Sequence, residues 1–234
     1  MRHAKKRQIL SNLKLMKKYL LTFILLVLIT KYGKAQFIDK YGINIGASYS
    51  DQFWDYKLIS IDNPNKDYKI GFLAFLSAEK KISKMFSIRS EIGYIQKGFK
   101  NNVEMTSSDG TSAGVNKENV IFHDLAANIG LKITPFDLKF SPYMLIGLSA
   151  DYMISYKDII FEEQGSGLKF NMYQSEIDKF KKLNLGGLIG IGFELNDLIY
   201  LEIEYNPSIT NSYSSKGLDI KDNCWGIKIG FNIN

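Results

Sequence analysis

The sequence predicts an all-β protein, an eight-stranded antiparallel up-and-down transmembrane β-barrel that follows a cleaved signal peptide. Three observations lead to this prediction. Apolar and polar residues alternate with a period of two in one segment after another, and no long window keeps the 3.6-residue period of an amphipathic helix. The connections between these segments alternate between short and long. The first 35 residues carry nine Lys or Arg and no Asp or Glu.

The amino-terminal segment has the three parts of a secretory signal peptide. A basic stretch precedes a short apolar run, and small residues ending at Ala35 predict cleavage before Gln36. The run is shorter than the roughly 20 apolar residues that a transmembrane helix needs. We therefore expect residues 1–35 to be the signal peptide, with Met16 as the true start, and residues 36–234 to form one barrel domain.

The charge of the mature part argues against a nucleic-acid partner. The whole chain has a net charge of +6, and nine of its basic residues belong to the predicted signal peptide. Without them, 21 basic residues stand against 24 acidic ones, a net charge of −3. Because nucleic-acid binding needs a basic stripe on the folded part, we expect none here.

Eight segments alternate clearly enough to be predicted as strands. In the last of them Ile227, Ile229 and Phe231 share one face, and Gly226 and Lys228 share the other. An even number of strands is what single-chain bacterial outer-membrane barrels require. Ten strands would result if the segment 155–182 added two more. The eight predicted strands are residues 41–50, 68–79, 86–97, 125–133, 143–151, 183–194, 199–206 and 225–233.

The connections fall into two length classes that alternate along the chain. The short turns are residues 80–85, 135–139 and 196–198, and the long polar connections lie near 51–66, 101–119, 155–182 and 207–222. Short and long connections therefore meet at opposite rims. Short periplasmic turns and long extracellular loops are typical of outer-membrane barrels, which places both termini on the periplasmic side.

The composition of the two faces predicts which one meets lipid. The face opposite the large aliphatic residues is rich in Gly, Ser, Asn and charges of both signs, and a Lys or Arg facing lipid at mid-membrane costs about 2–4 kcal/mol. An eight-stranded barrel is only wide enough inside for side chains. We therefore expect a narrow polar lumen of Arg89, Glu91, Lys132, Glu194, Glu202, Glu204 and Lys228. The lipid-facing set includes Ile129, Leu131, Ile189, Ile191, Ile227 and Ile229.

Aromatic residues near the strand ends are expected at the two membrane interfaces, where amphipathic rings collect. They are Tyr41, Tyr49, Tyr68, Tyr94, Tyr152, Tyr200, Tyr205 and Trp225.

Few residues offer catalytic chemistry. His123 is the only His after the predicted signal peptide and lies beside Asp124, so it is a weak catalytic candidate, and no catalytic motif supports it. Cys224 is the sole cysteine, which excludes an intrachain disulfide and a cysteine metal cluster. We expect no cofactor, no metal site and no enzymatic activity.

The chain resembles the PorT-like family of outer-membrane β-barrel proteins over residues 36–234. The resemblance rests on Gly33-Lys34-Ala35-Gln36, Tyr41-Gly42-Ile43-Asn44-Ile45-Gly46-Ala47, Glu91-Ile92-Gly93-Tyr94-Ile95-Gln96-Lys97-Gly98 and Gly226-Ile227-Lys228-Ile229-Gly230-Phe231. It implies a location in the outer membrane of a Gram-negative-type bacterium. The chain departs from the usual aromatic end of barrel-assembly signals, because it closes on Phe231-Asn232-Ile233-Asn234.

Three functions are compatible with these features. The first is a structural, adhesion or interaction role through the long extracellular loops. The second is a narrow channel, or an accessory component of an outer-membrane secretion apparatus. The third is an outer-membrane hydrolase that uses His123. The expected partners are outer-membrane lipid and an extracellular or secretion-system protein, and we expect a monomer.

Overall fold

The computed structural model describes residues 38–58, 66–100, 103–106, 112–116, 119–136, 138–162, 169–171 and 173–233. The predicted signal peptide, residues 1–35, lies outside the described residues. Residues Lys40–Asn234 form one compact unit. No helix in the described residues is long and apolar enough to cross a membrane.

The described residues form thirteen strands and one short helix. In chain order they are β1 Lys40–Tyr56, β2 Asp67–Lys81, β3 Phe86–Lys100, β4 Val103–Thr106, β5 Ser112–Asn116, β6 Asn119–Ile133, β7 Phe140–Lys157, β8 Ile160–Glu162, β9 Lys169–Asn171, α1 Gln174–Ile177, β10 Leu183–Leu195, β11 Ile199–Pro207, β12 Tyr213–Ser214 and β13 Leu218–Ile233.

Eight of these strands close into an antiparallel barrel in the order β1, β2, β3, β6, β7, β10, β11 and β13. The barrel closes between β1 and β13, whose register runs from Tyr41 opposite Ile233 to Tyr56 opposite Leu218. The predicted eight-stranded barrel is confirmed. The alternative of ten strands is wrong, because β8 and β9 pair only with each other, as do β4 and β5.

The barrel has two rims, one formed by the short turns and one by the long connections. The turn rim carries residues 82–85, 134–139 and 196–198, and the loop rim carries the four longer connections. At the turn rim, Asn196 and Asp197 join β10 to β11 with positive φ angles of 51° and 59°. Two consecutive residues with positive φ make the tight type I′ turn that suits the twist of a hairpin.

The strands are longer at the loop rim than the alternation of apolar residues predicts. The ring strand β1 continues to Tyr56 and β7 to Lys157, while β6 begins at Asn119 and β13 at Leu218. Connections predicted to start near residue 51 or 155 are therefore partly strand. The alternation that identified the strands changes phase in these extensions, and this explains the error.

The inner face changes its character along the barrel. Over most of its length most of the large aliphatic side chains point outward and most of the polar ones inward, although Leu73, Ile95, Leu145 and Leu188 are buried. In the extensions, Trp54, Phe99, Val120, Phe122 and Ile220 are buried inside the barrel instead. The segment between β7 and β10 completes this mouth core with Ile159, Tyr173, Ile177 and Phe180. An apolar interior is what a wall surrounded by water needs, and we infer that this part of the barrel projects beyond the membrane.

Glycines make room for aromatic rings inside the narrow lumen. A Cβ at Gly230 would lie 2.1 Å from Cζ of Tyr200, and one at Gly192 would lie 2.5 Å from Cζ of Tyr143. Both distances are shorter than any normal contact. These two positions therefore accept only Gly while the tyrosines keep their place in the lumen.

Candidate functional site

A central group of ion pairs crosses the barrel at mid-height. Arg89 lies 2.5 Å from Glu91 and 2.8 Å from Glu202. Lys228 lies 2.8 Å from Glu91, 3.0 Å from Glu202 and 2.6 Å from Glu204. These five side chains, called the central cluster below, are all buried. They come from the neighbouring strands β11 and β13 and from β3, which β1 and β2 separate from β13 on the ring, and they meet across the lumen because the barrel closes.

Tyrosine and asparagine side chains complete the hydrogen bonding of the central cluster. Arg89 Nη2 donates to the Tyr200 hydroxyl over 2.6 Å, and that hydroxyl donates to Asn44. The Tyr143 hydroxyl donates to Glu202 over 2.8 Å, and Asn44 Nδ2 donates to Glu91 over 3.0 Å. Buried charges are tolerable only when paired and hydrogen-bonded, and this arrangement meets that condition for most of the polar atoms.

A second cluster lies nearer the turn rim and is called the rim cluster. Lys132 pairs with Glu79 at 2.9 Å and with Glu194 at 2.6 Å. Lys40 pairs with the same Glu194 at 2.9 Å and with Asp197, in the tight turn, at 2.8 Å. Beside it a cavity of about 330 Å³ opens among residues of the turn rim.

All seven residues predicted for the polar lumen are buried there, but in two clusters rather than one. Lys132 and Glu194 belong to the rim cluster, and the other five form the central cluster. The prediction missed Lys40, Glu79 and Asp197. Lys40 immediately precedes the predicted first strand, Glu79 ends the predicted second strand and Asp197 lies in a turn, so alternation within a strand gave no signal for their contact across the barrel.

The six residues predicted to face lipid all lie on the outer surface of the barrel. They are Ile129, Leu131, Ile189, Ile191, Ile227 and Ile229, and every one is exposed. Ile229 pairs with Ile45 on one side and with Leu201 on the other, and both of these partners are also exposed on the outer surface.

Aromatic side chains flank this apolar surface at two levels. Tyr205 stacks on Trp225 at a centroid distance of 4.5 Å, and Tyr49 stacks on Tyr68 at 4.3 Å. Towards the turn rim, Phe140 stacks on Phe193 at 4.9 Å. The eight residue steps from Tyr41 to Tyr49 rise roughly 20 Å across a membrane at the usual strand length and tilt. This approaches the outward apolar band of about 25 Å in such barrels.

Tyr200 does not belong to these aromatic levels, and its predicted place at the interface is wrong. It is buried in the lumen, where its ring lies 4.4 Å from the Arg89 guanidinium. Its parity on β11 is that of Glu202 and Glu204, and the space for its ring comes from Gly230.

His123 lies on the outward face of β6, where its Nδ1 is 2.5 Å from the Tyr94 hydroxyl. Asp124, the neighbour that made it a catalytic candidate, is buried on the opposite face. The two side chains therefore point to opposite sides of the barrel wall. In the part of the chain that the structure describes, no three His, Cys, Asp or Glu side chains are arranged to hold a metal ion.

An aromatic cage, which no pattern in the sequence predicted, lies within the mouth core. The rings of Trp54, Phe99 and Tyr173 surround Nζ of Lys66, with centroids 4.3, 4.8 and 4.4 Å away. Nζ also donates to the Tyr173 hydroxyl over 2.8 Å. Burial lowers the pKa of Lys66 to about 8. The four side chains come from β1, β3 and two loop-rim connections, so only the closed barrel brings them together.

The fold has several similar solved structures. Ail, the attachment invasion locus protein of Yersinia pestis, is 15% identical, covers 83% of this chain and 98% of its own, and has a TM-score of 0.41. OprG from Pseudomonas aeruginosa is 11% identical over 84% of this chain and 97% of its own, with a TM-score of 0.42. Neisserial surface protein A is 14% identical over 82% and 98%, with a TM-score of 0.40.

A comparison with curated protein sequences gives no match. The family model described as "Outer membrane protein beta-barrel domain" matches residues 22–232. This match covers most of the chain, including all eight strands of the barrel except the last residue of β13. The chain therefore belongs to the outer membrane protein beta-barrel domain family, and it is a protein of the Gram-negative outer membrane.

Proposed function

We propose that this protein is a closed outer-membrane anchor that presents a rigid loop rim to a protein partner, in a structural or adhesion role. The observation that carries the proposal is the filled interior. The central cluster, the rim cluster and the mouth core occupy successive levels of the lumen. A closed barrel holds its rim in place and does not need to conduct solutes.

Specific contacts join the parts of the loop rim that the structure describes. The Lys57 ammonium lies 2.7 Å from Asp219, and the Tyr156 hydroxyl donates to Asp178 over 2.6 Å. The backbone amide of Lys181 donates to the carbonyl of Ser212 over 2.8 Å, which joins two of the long connections. A surface held in this way loses little conformational entropy on binding.

Apolar side chains stand exposed on this rim. Leu58 is 77% exposed, Ile209 60% and Ile160 55%. They lie beyond the aromatic residues of the interface and are therefore in water rather than lipid. Exposed apolar side chains beside charged ones such as Lys57 are typical of the centre and edge of a protein-binding surface.

The closed lumen predicts that the protein conducts no ions. Refolded into a planar bilayer, it should give no discrete current steps under conditions in which a water-filled porin, inserted in the same way, gives them. The reason is that the charged side chains of the lumen are paired with each other across its width. Reproducible steps from the unmodified protein would contradict the proposed closed anchor and favour the narrow channel.

The PorT-like resemblance favours a second candidate, an accessory component of a secretion apparatus. One observation supports it. The cavity of about 330 Å³ at the turn rim is lined by charged side chains including Lys81, Lys84 and Asp197. This rim faces the periplasm in the usual orientation of such barrels, where periplasmic components would meet it.

One crosslinking experiment separates the two candidates. A photo-reactive amino acid is placed at Ile209 on the loop rim or at Lys84 on the turn rim, and living cells are irradiated. We expect protein adducts from position 209 and none from position 84 if the barrel is an extracellular interaction module. Adducts from position 84 alone would contradict that role and favour the secretion component. Ile146, exposed at the apolar surface, is the matched control position for nonspecific adducts.

A further inference from the structure

The cage in the mouth core has the geometry of a cation-binding box. Trp54 and Phe99 meet edge to face at 79°, Trp54 and Tyr173 at 67°, and Phe99 and Tyr173 at 83°. Three rings at nearly right angles to one another present their faces to one point. The negative face of each ring attracts a cation placed within about 6 Å of its centre, and Lys66 Nζ occupies that point.

The walls of the cage are held by the surrounding structure. Trp54 Nε1 donates to Gln52 over 3.2 Å, and Gln52 Nε2 donates to Asp222 over 2.7 Å. The backbone amide of Tyr173 donates to the Asp158 carboxylate over 3.0 Å. Phe99 follows Gly98, whose φ of 137° only glycine adopts readily. The rings are therefore positioned by their own neighbours and do not depend on Lys66.

Lys66 is a poorly matched occupant of this cage. An ammonium group is strongly hydrated and has three N–H donors. In the cage one of them reaches the Tyr173 hydroxyl, and no carboxylate pairs with Lys66 among the residues that the structure describes. Burial without an opposite charge is what lowers its pKa to about 8. A quaternary ammonium has no N–H group to satisfy and is the kind of ligand that aromatic cages bind well.

We propose that the cage of Trp54, Phe99 and Tyr173 is a binding site for quaternary ammonium groups, which Lys66 occupies from within the chain and which an external ligand takes by displacing that side chain. Lys66 itself is partly exposed while the three rings are buried. The cage is therefore open to solvent along the side chain of Lys66, and an external ligand would enter by this route. This inference concerns a small cationic ligand and is independent of the protein partner proposed above.

The test uses the fluorescence of Trp54 in the whole refolded barrel, in a maltoside detergent that contains no choline group. The chain has two tryptophans, so Trp225→Phe leaves Trp54 as the only one. On this background Lys66→Ala vacates the cage. We expect choline to change the emission of Trp54 saturably and to bind Lys66→Ala about ten-fold more tightly than the background protein, since it no longer competes with a resident cation.

Two controls make the result specific. The first is 3,3-dimethyl-1-butanol, which has the shape of choline without its charge and should bind the Lys66→Ala variant at least about ten-fold more weakly. The second is Tyr173→Leu added to Lys66→Ala, which should abolish choline binding while the barrel still migrates as a folded, heat-modifiable band. Equal binding of the uncharged analogue, or no saturable response from a folded Lys66→Ala barrel, would overturn the proposal.

A parallel titration with phosphocholine shows whether the site accepts a lipid headgroup or only the free cation. If phosphocholine binds as tightly as choline, the site accepts a headgroup that still carries its phosphate. If choline binds and phosphocholine does not, the site takes the free cation. Both results support a quaternary ammonium site and distinguish the two sources of the same chemistry.

Discussion

Replacing Lys228 with Met should lower the free energy of unfolding of the barrel by about 3–5 kcal/mol. Lys228 is fully buried and lies within 3.0 Å of Glu91, Glu202 and Glu204. Its removal leaves three carboxylates facing one another with Arg89 as the nearest remaining cation. Urea unfolding of the refolded barrel in lipid vesicles, followed by heat-modifiable migration, measures the change.

The matched control is Lys221→Met on the same strand. Lys221 lies on β13 beyond the aromatic level and is exposed on the outside, so its loss should change the free energy of unfolding by less than about 0.5 kcal/mol. Adding Glu204→Gln to Lys228→Met should recover part of the lost stability, because it removes one of the stranded charges. Equal stability of Lys228→Met and Lys221→Met would show that the central cluster is not formed as the structure has it.

Replacing Ile229 with Arg should destabilise the barrel by about 2–4 kcal/mol when it is folded in a lipid bilayer. Ile229 is exposed on the outer face and pairs with Ile45, which lies midway between Tyr41 and Tyr49 on β1. The Arg side chain would therefore enter the centre of the hydrocarbon. The same urea titration in vesicles gives the free energy of unfolding.

Ile154→Arg provides the comparison for this lipid-face test. Ile154 is also exposed on the outer surface, on β7 beyond Tyr152 and towards the loop rim. There the wall is outside the hydrocarbon, and a charge should cost no more than about 1 kcal/mol. If both substitutions cost the same, or if Ile229→Arg costs nothing, the apolar surface does not face lipid at the level inferred here.

The part of the fold that alternation could predict is the part inside the membrane. Ile229 and Lys228 show why, because lipid on one side and a narrow lumen on the other impose opposite chemistry on consecutive residues. The count of eight strands and the buried position of Arg89 followed from the same rule. Register was not predictable, since the meeting of Arg89 with Glu202 requires two strands far apart in the chain to reach the same height.

The candidate site at the loop-rim end of the lumen could not be predicted in this way. Above the aromatic level, water surrounds the wall, and apolar side chains such as Trp54 turn inward as in any water-soluble protein. When the alternation of apolar and polar residues changes phase within a strand, the sequence alone cannot distinguish this change from the end of the strand. Lys66 and Tyr173 lie in connections with no periodicity, so their place beside Trp54 depends on closure of the whole ring.

The length of the strands beyond the aromatic level sets how far the barrel wall projects above the membrane surface. From Tyr49 to Tyr56, seven residue steps at the usual rise and tilt lift the wall about 18 Å above the hydrocarbon boundary. That height exceeds the depth of one headgroup layer, and in the usual orientation of such barrels it would bring the rim to the level of the sugars of the outer leaflet. In that orientation, a large molecule that approaches the cell would contact this protein wall before it contacts lipid.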